Sequence, residues 1–274
     1  MACIAARFRE ARGVPRTARR GDLSAMPSTL DADLRRADAA AAGGEGKRDY
    51  VQQIFSEIAP RYDLLNHVLS LNIDKAWRRQ ALEALGWRQR PAGRYLDLCA
   101  GTLDVGATLV RQTGFTGRVL AADFAEPMLR AGTGKAPRDR LVPVTADALR
   151  LPIADGVMDG AIVAFGIRNV AALDVALAEV RRVLVPGARF VILEFSTPRS
   201  ALVRAGYQFY FHNVLPLVGR LVSGHRTAYT YLPRSVAHFP ELEVLAARMT
   251  AAGFRDVTFR PLTFGIAALH VGTA

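Results

Sequence analysis

Tyr95-Leu96-Asp97-Leu98-Cys99-Ala100-Gly101-Thr102-Leu103-Asp104 reads as a short apolar strand, a turn of small residues and the first turn of a helix. At such a junction a doubly wound sheet turns backbone N–H groups and a helix N-terminus toward a ligand. Gly101 sits where a ligand must come close to the backbone. A second apolar stretch, Val119 to Ala122, ends in Asp123, about twenty residues after that glycine.

The same alternation runs outward in both directions. Helical segments are predicted from about Val105, from about Glu126 and over Leu173 to Leu184, between strands at Val142 to Thr145, Gly160 to Ala164 and Arg189 to Glu194, the last preceded by a Pro186-Gly187 turn. A helix over Glu241 to Ala252, the Gly253-Phe254 turn and strands near Val257 to Arg260 and Gly265 to Val271 follow. Upstream, Val51, Ile54, Phe55 and Ile58 fall on one helical face, Pro60 ends or kinks that helix, and a further helix runs from about Asp74 to Leu85. The fold class expected is α/β: a doubly wound, mostly parallel seven-stranded sheet with N-terminal helices and a helical insertion, about 196–240, after strand five.

Residues 1–46 show no sustained apolar period and read as a disordered or cleavable extension, leaving 47–274 as the folded domain. Their Arg-rich, acid-poor start is also that of an organellar transit peptide, and Met26 is a rival start site. The chain is 50% hydrophobic and 22% charged, the mix of an ordinary globular protein. Its net charge of +11 rests almost wholly on arginine, with Lys47, Lys75 and Lys135 the only lysines. Those arginines are scattered, which disfavours a nucleic-acid partner and leaves peripheral contact with an anionic membrane open. No apolar run reaches the roughly 18 residues of a membrane span, so a cytoplasmic protein, peripheral at the inner membrane face, is expected. Two cysteines, Cys3 and Cys99, make no disulfide framework, and no His or Cys spacing suggests a metal.

A carboxylate in the place of Asp123 can accept both hydroxyl protons of an adenosine ribose, or cap the following helix. The three-glycine pattern that brings backbone against a pyrophosphate is missing, since Leu103 and Val105 occupy much of that turn. This disfavours a nicotinamide cofactor and favours S-adenosylmethionine, which has no phosphate. Asp147-Ala148, past the third strand, suits the adenine edge or serves as a turn, and Asp104 either neighbours the methionine moiety or caps its own helix.

Phe165-Gly166-Ile167-Arg168-Asn169-Val170, between Leu-Asp-Leu-Cys-Ala-Gly-Thr and Arg181-Arg182-Val183-Leu184-Val185-Pro186-Gly187, closely resembles the quinone-biosynthesis C-methyltransferases, the demethylmenaquinone and 2-polyprenyl-benzoquinol enzymes. The likeness includes Phe55 to Asn66 and Ala267 to Gly272 and covers about residues 49–274. It implies a class I, Rossmann-like methyltransferase with cofactor contacts at Thr102, Asp123, Asp147 and Ala148. To these the sequence adds Gly101, and Ala164, which stands where many members carry Ser. Leu103 likewise replaces a common small residue, and Arg234 a frequent acidic one.

The resemblance further implies methyl transfer to a ring carbon of a prenylated quinol. Demethylmenaquinol is preferred over a benzoquinol, with another small phenolic or lipid as the alternative. Arg168 is the candidate stabiliser of the developing phenolate and Asn169 the candidate to orient the hydroxyl, although both could simply brace their loop. Tyr62, Asn66, His67, Phe165, Tyr207 and Tyr210 make up the candidate substrate pocket. The cluster Tyr207 to Phe211 with Val214 to Val218 would wall a lipid tail, Arg204, Arg220 and Arg226 would face headgroups, and a homo-oligomer is compatible with all of this.

Overall fold

The computed structural model describes residues 29–43, 46–59, 62, 70, 72–210, 213 and 227–274. Asn66, His67, Arg220, Arg226 and the Val214 to Val218 stretch lie outside them.

Seven strands form one sheet: β1 (Arg94–Leu98), β2 (Arg118–Asp123), β3 (Leu141–Thr145), β4 (Met158–Ala164), β5 (Leu184–Phe195), β6 (Arg255–Leu262) and β7 (Ala267–Thr273). Their order is β3-β2-β1-β4-β5-β7-β6, with β7 antiparallel to both neighbours and the remaining pairs parallel. The chain steps outward from β1 through β2 to β3, then returns to place β4 on the other side of β1. The crevice of an open α/β sheet opens at this reversal, beyond the carboxyl ends of the strands.

The strands alternate between two apolar layers, as a period of two requires. Tyr95, Ile162, Val191 and Leu193 point to one face, where Trp77, Leu82 and Leu85 cover them. Leu96, Ala161, Val163, Phe190 and Ile192 point to the other, under Leu177, Val180, Leu245 and Met249. Such side chains contribute roughly 1.5–3 kcal/mol each when fully buried, so a slip of one residue in register would be costly.

Nine helices occur among the described residues: α1 (Thr29–Ala42), α2 (Lys47–Ile58), α3 (Ile73–Leu85), α4 (Asp104–Val110), α5 (Glu126–Ala131), α6 (Leu173–Val183), α7 (Ala201–Phe209), α8 (Thr227–Ala237) and α9 (Leu242–Ala251). In α2, Val51, Ile54 and Ile58 are buried on the expected face. In α3, Asp74, Trp77, Ala81 and Leu85 follow helical spacing, and Gly86, left-handed at φ 71°, ends the helix with its N–H on the Glu83 carbonyl. α7 and α8 lie within the expected insertion.

Two local readings differ. α1 lies at the end of the stretch read as an extension, packing Ala37, Ala40 and Ala41 against α2 and α8. An alanine stripe carries too little hydrophobic contrast to register as an apolar period, yet it lets helices approach closely. Pro186-Gly187 does not precede the fifth strand but lies inside it. The first pairing of β5, Leu184 with Met158, is followed by a register shift, and Gly187, at φ 79°, donates to the Ala274 carbonyl. The irregularity absorbs the turn signal without ending the strand.

Candidate active site

The crevice at the carboxyl ends of β1, β2 and β4 encloses about 770 Å³, counting the part open to solvent. Gly101, Asp123, Asp147, Ala148, Ala164 and Phe165 line it, together with Tyr62 and Asn169. The structure thus brings these sequence-predicted residues together around one cavity.

The backbone around it is held in sparsely populated conformations. Cys99, Gly101 and Leu103 have φ of 51°, 51° and 68°, and Phe165, across the crevice, has 62°. Three of the four carry a side chain, for which the left-handed region costs roughly 1–2 kcal/mol each. Hydrogen bonds keep the turn in place: Leu103 N–H donates to Ala100 O at 2.9 Å, and Ala100 N–H to Ala122 O at 3.1 Å. Opposite, Gly166 has no room for a side chain, because a Cβ there would lie 2.4 Å from that of Cys99.

Asp123 is the hub of this end. Its Oδ2 accepts the Gly101 N–H at 2.8 Å and its Oδ1 the Ala125 N–H at 2.8 Å. Burial pushes its carboxyl up, and the N–H groups of Ala125, Gly101 and Phe124 counter that. With three of its roughly four lone-pair sites taken by these N–H groups, the carboxylate caps the turn and still has room to accept from a ligand hydroxyl. Asp97, deeper in β1, accepts the Gly106 N–H at 2.8 Å, and burial raises its carboxyl to about 7. Asp147 accepts the Leu149 N–H at 3.0 Å and pairs with Arg48 of α2 at 3.1 Å. Asp104 is paired with Lys135 at 2.6 Å. Thr102 is buried under the turn, its carbonyl against Gly132, rather than on the crevice wall.

The other end is the loop Phe165–Val170. Phe165 stacks on Phe195 with ring centroids 4.6 Å apart, and Trp77 packs beside both. Arg168 is buried, and its Nη1 donates to Glu194 Oε1 at 2.7 Å and to the Phe165 carbonyl, while Nε donates to Ser235 Oγ at 3.2 Å. Burial pushes Glu194 up, against the pull of the Arg168 guanidinium, which stays charged beside it. Asn169 Oδ1 accepts from Tyr231 Oη at 3.2 Å, and Lys47 Nζ donates to the Arg168 carbonyl at 2.8 Å. Burial, then the nearby Arg168 charge, lowers the Lys47 ammonium, and burial pushes the Tyr231 phenol up to about 12.

Among the sequence-predicted residues, Arg168 thus stands behind the loop, held by Glu194, whereas Asn169 reaches the cavity wall. Tyr207 and Tyr210, half-buried near the end of α7, do not line it. Glu194, Tyr231, Ser235 and Lys47 were not anticipated. Glu194 did leave a signal, a charge ending the apolar run Val191-Ile192-Leu193. The others come from helices 62 to 121 residues away from their partners, a distance no local pattern spans.

This strand order, with an acidic crevice at β1 and β2 and bulky residues where a dinucleotide turn has glycines, defines a Rossmann-like S-adenosylmethionine-dependent methyltransferase. Solved structures of that build include a possible histamine N-methyltransferase from Thermotoga maritima (TM-score 0.56, 17% identity, 81% of this chain and 98% of that one). Another is the [4+2]-cyclase SpnF (TM-score 0.59, 13% identity, 81% and 95%). At such identities only the fold is shared, and a fold does not fix a reaction. The chain belongs to the ubiE/COQ5 methyltransferase family, which it matches over residues 44–274. It is 48% identical to the demethylmenaquinone methyltransferase of Thermus thermophilus, covering 80% of this chain and 99% of that one. It is 44% identical to the ubiquinone/menaquinone biosynthesis C-methyltransferase UbiE of Geobacter sulfurreducens, covering 82% and 89%. The residues present fit the cofactor: Asp123 offers a buried acceptor at the cavity wall, and left-handed Leu103 leaves no glycine cradle for a pyrophosphate.

Proposed function

We propose that the chain transfers a methyl group to a ring carbon of a prenylated quinol, converting demethylmenaquinol to menaquinol. The observation that carries this reading is the bipolar crevice, carboxylates at one end and Phe165 with Asn169 at the other. S-adenosylmethionine supplies an electrophilic methyl group on a sulfonium centre. Asp123 would hold its ribose, and Asp147 with Ala148 its adenine.

The ring carbon becomes nucleophilic as the neighbouring hydroxyl gives up its proton to water, the new C–C bond forms as the methyl–sulfur bond breaks and S-adenosylhomocysteine is left, and the ring proton at that carbon then passes to water while the phenolate takes one proton back. Phe165 offers the quinol ring an apolar wall. Asn169, its carbonyl oxygen occupied by Tyr231, presents its amide N–H groups to an oxygen of the substrate. Arg168 adds a fixed positive charge behind the loop, which favours the phenolate, and most of the acceleration comes from holding carbon, methyl and sulfur in line. Tyr62 closes the cofactor side, and Tyr207 lies near Arg168 and Glu194 behind the loop. Peripheral contact with a membrane gives access to a substrate carrying a prenyl tail; no helix among the described residues is long and apolar enough to cross one.

Purified protein incubated with methyl-labelled cofactor should label demethylmenaquinol, and a demethylated benzoquinol more slowly. Equal or faster labelling of the benzoquinol would overturn the substrate assignment. Arg168→Lys and Asn169→Ala should each cut turnover at least tenfold while S-adenosylhomocysteine affinity holds. Unchanged turnover would reduce both residues to loop braces.

A further inference from the structure

Far from the cofactor turn, Thr263, Phe264 and Gly265 are three successive residues in the left-handed region, with φ of 43°, 58° and 88°. Glycine takes that region freely; a β-branched and an aromatic residue do not. The turn is nonetheless bolted down. Trp77 Nε1 donates to Thr263 Oγ1 at 2.9 Å, and Ser196 Oγ donates to the Gly265 carbonyl at 2.7 Å. What this strained clamp displays is the Phe264 ring, 81% exposed.

A second exposed apolar side chain stands on the adjoining element. The Gly265 backbone abuts Pro198 at the entrance to α7, and four residues on, Leu202 is 85% exposed. Phe264 and Leu202 are the two most exposed large apolar side chains among the described residues. Basic residues stand on the same elements and on α3, which bonds to the turn through Trp77. Arg204 folds back on the Pro198 and Arg199 carbonyls, Arg260 contacts Gln80, and Lys75 and Arg79 stand exposed on α3. Arg199 is paired with Glu243.

We propose that the Thr263–Gly265 turn and the start of α7 form an interfacial anchor. Phe264 and Leu202 enter the acyl boundary of an anionic bilayer while Arg204, Arg260 and the α3 cations meet its headgroups. Exposed apolar side chains with cations on the adjoining elements match that surface in charge. The anchor is tied to the site, because Trp77, which pins Thr263, also packs on Phe165 at the crevice wall. In purpose the proposal rests on the prenylated-quinol reading; in its physics it does not.

The test uses the full chain, vesicles of phosphatidylglycerol with phosphatidylcholine, vesicles of phosphatidylcholine alone, and the variants Phe264→Gly and Leu202→Ser. Phe264→Gly relieves the strain and should melt higher than the native chain, yet partition onto the anionic vesicles about tenfold more weakly. Leu202→Ser should weaken partitioning without lowering the melting temperature, and neutral vesicles should bind the native chain less than anionic ones. Turnover on a short-tailed, water-soluble demethylated quinol should be unaffected by Phe264→Gly, and turnover on a vesicle-borne, long-tailed one should drop. Native-like partitioning of Phe264→Gly, or a lower melting temperature in that variant, would overturn the anchor. So would a homodimer that the variant breaks with vesicle binding unchanged. Failure of the native chain on both quinols, with vesicle binding intact, would instead sink the substrate assignment and leave the anchor standing.

Discussion

Replacing Asp123 by Asn separates the two jobs of that residue, bracing the turn and accepting ligand hydroxyls. The side chain keeps its shape but has one acceptor oxygen instead of two. In the native chain both oxygens accept a backbone N–H at 2.8 Å, from Gly101 and from Ala125, and the pair stitches the β1 turn to the start of α5. A hydrogen bond to a charged group contributes about 1.5–3 kcal/mol net. In the variant one N–H faces an amide donor, while the desolvation of the carboxylate is relieved. The loss in folding stability should therefore sit near the lower end, about 2 kcal/mol, or ~4–8 °C in melting temperature for a domain of this size. A ribose that loses one of two carboxylate contacts should bind S-adenosylhomocysteine ~10–100-fold more weakly by calorimetry. A 2′-deoxy analogue supplies the cross-check, since native protein should lose more affinity for it than the variant does. Unchanged affinity in the variant alongside a lower melting temperature would refute the ribose role and leave Asp123 a brace.

Glu194→Ala strands the buried Arg168 charge and should cost about 3–5 kcal/mol in urea unfolding, part of which the Glu194→Ala, Arg168→Met double variant recovers. Asp97 gives a pH signature. Its folded-state carboxyl lies at about 7, above the unfolded value, so the folded protein binds the extra proton. Its contribution to stability is then greatest in acid and is lost as pH rises through the interval up to about 7, with a slope approaching ~1.4 kcal/mol per pH unit. Asp97→Asn should flatten that slope in denaturant titrations run at several pH values, and an unaltered slope would exclude Asp97 as its source.

The parts of the site legible in the sequence were those written locally. The Cys99 to Asp104 turn and the Phe165 to Val170 loop each follow a strand and Asp123 ends one, and a strand end fixes where its last and next residues point. The parts that escaped are held by distant partners. Lys47 reaches the Arg168 carbonyl from α2, and Tyr231 reaches Asn169 from α8. Only burial against the sheet brings those helices over the loop. The same holds for α1, whose alanines become a packing face only when α2 and α8 lie against them.

The alternation of apolar runs, the missing glycines and the motif around Arg168 determined by themselves the doubly wound sheet, the kind of cofactor and the family. Period-two and helical spacings act over a few residues, so a single chain suffices to express them. The tertiary structure decided which of the marked residues face the cavity. It turned Arg168 inward to Glu194, left Asn169 on the wall, and set the strained Phe264 turn on the surface. Those outcomes depend on burial and on charge pairing between segments remote in sequence, and such pairs exist only once the sheet has closed.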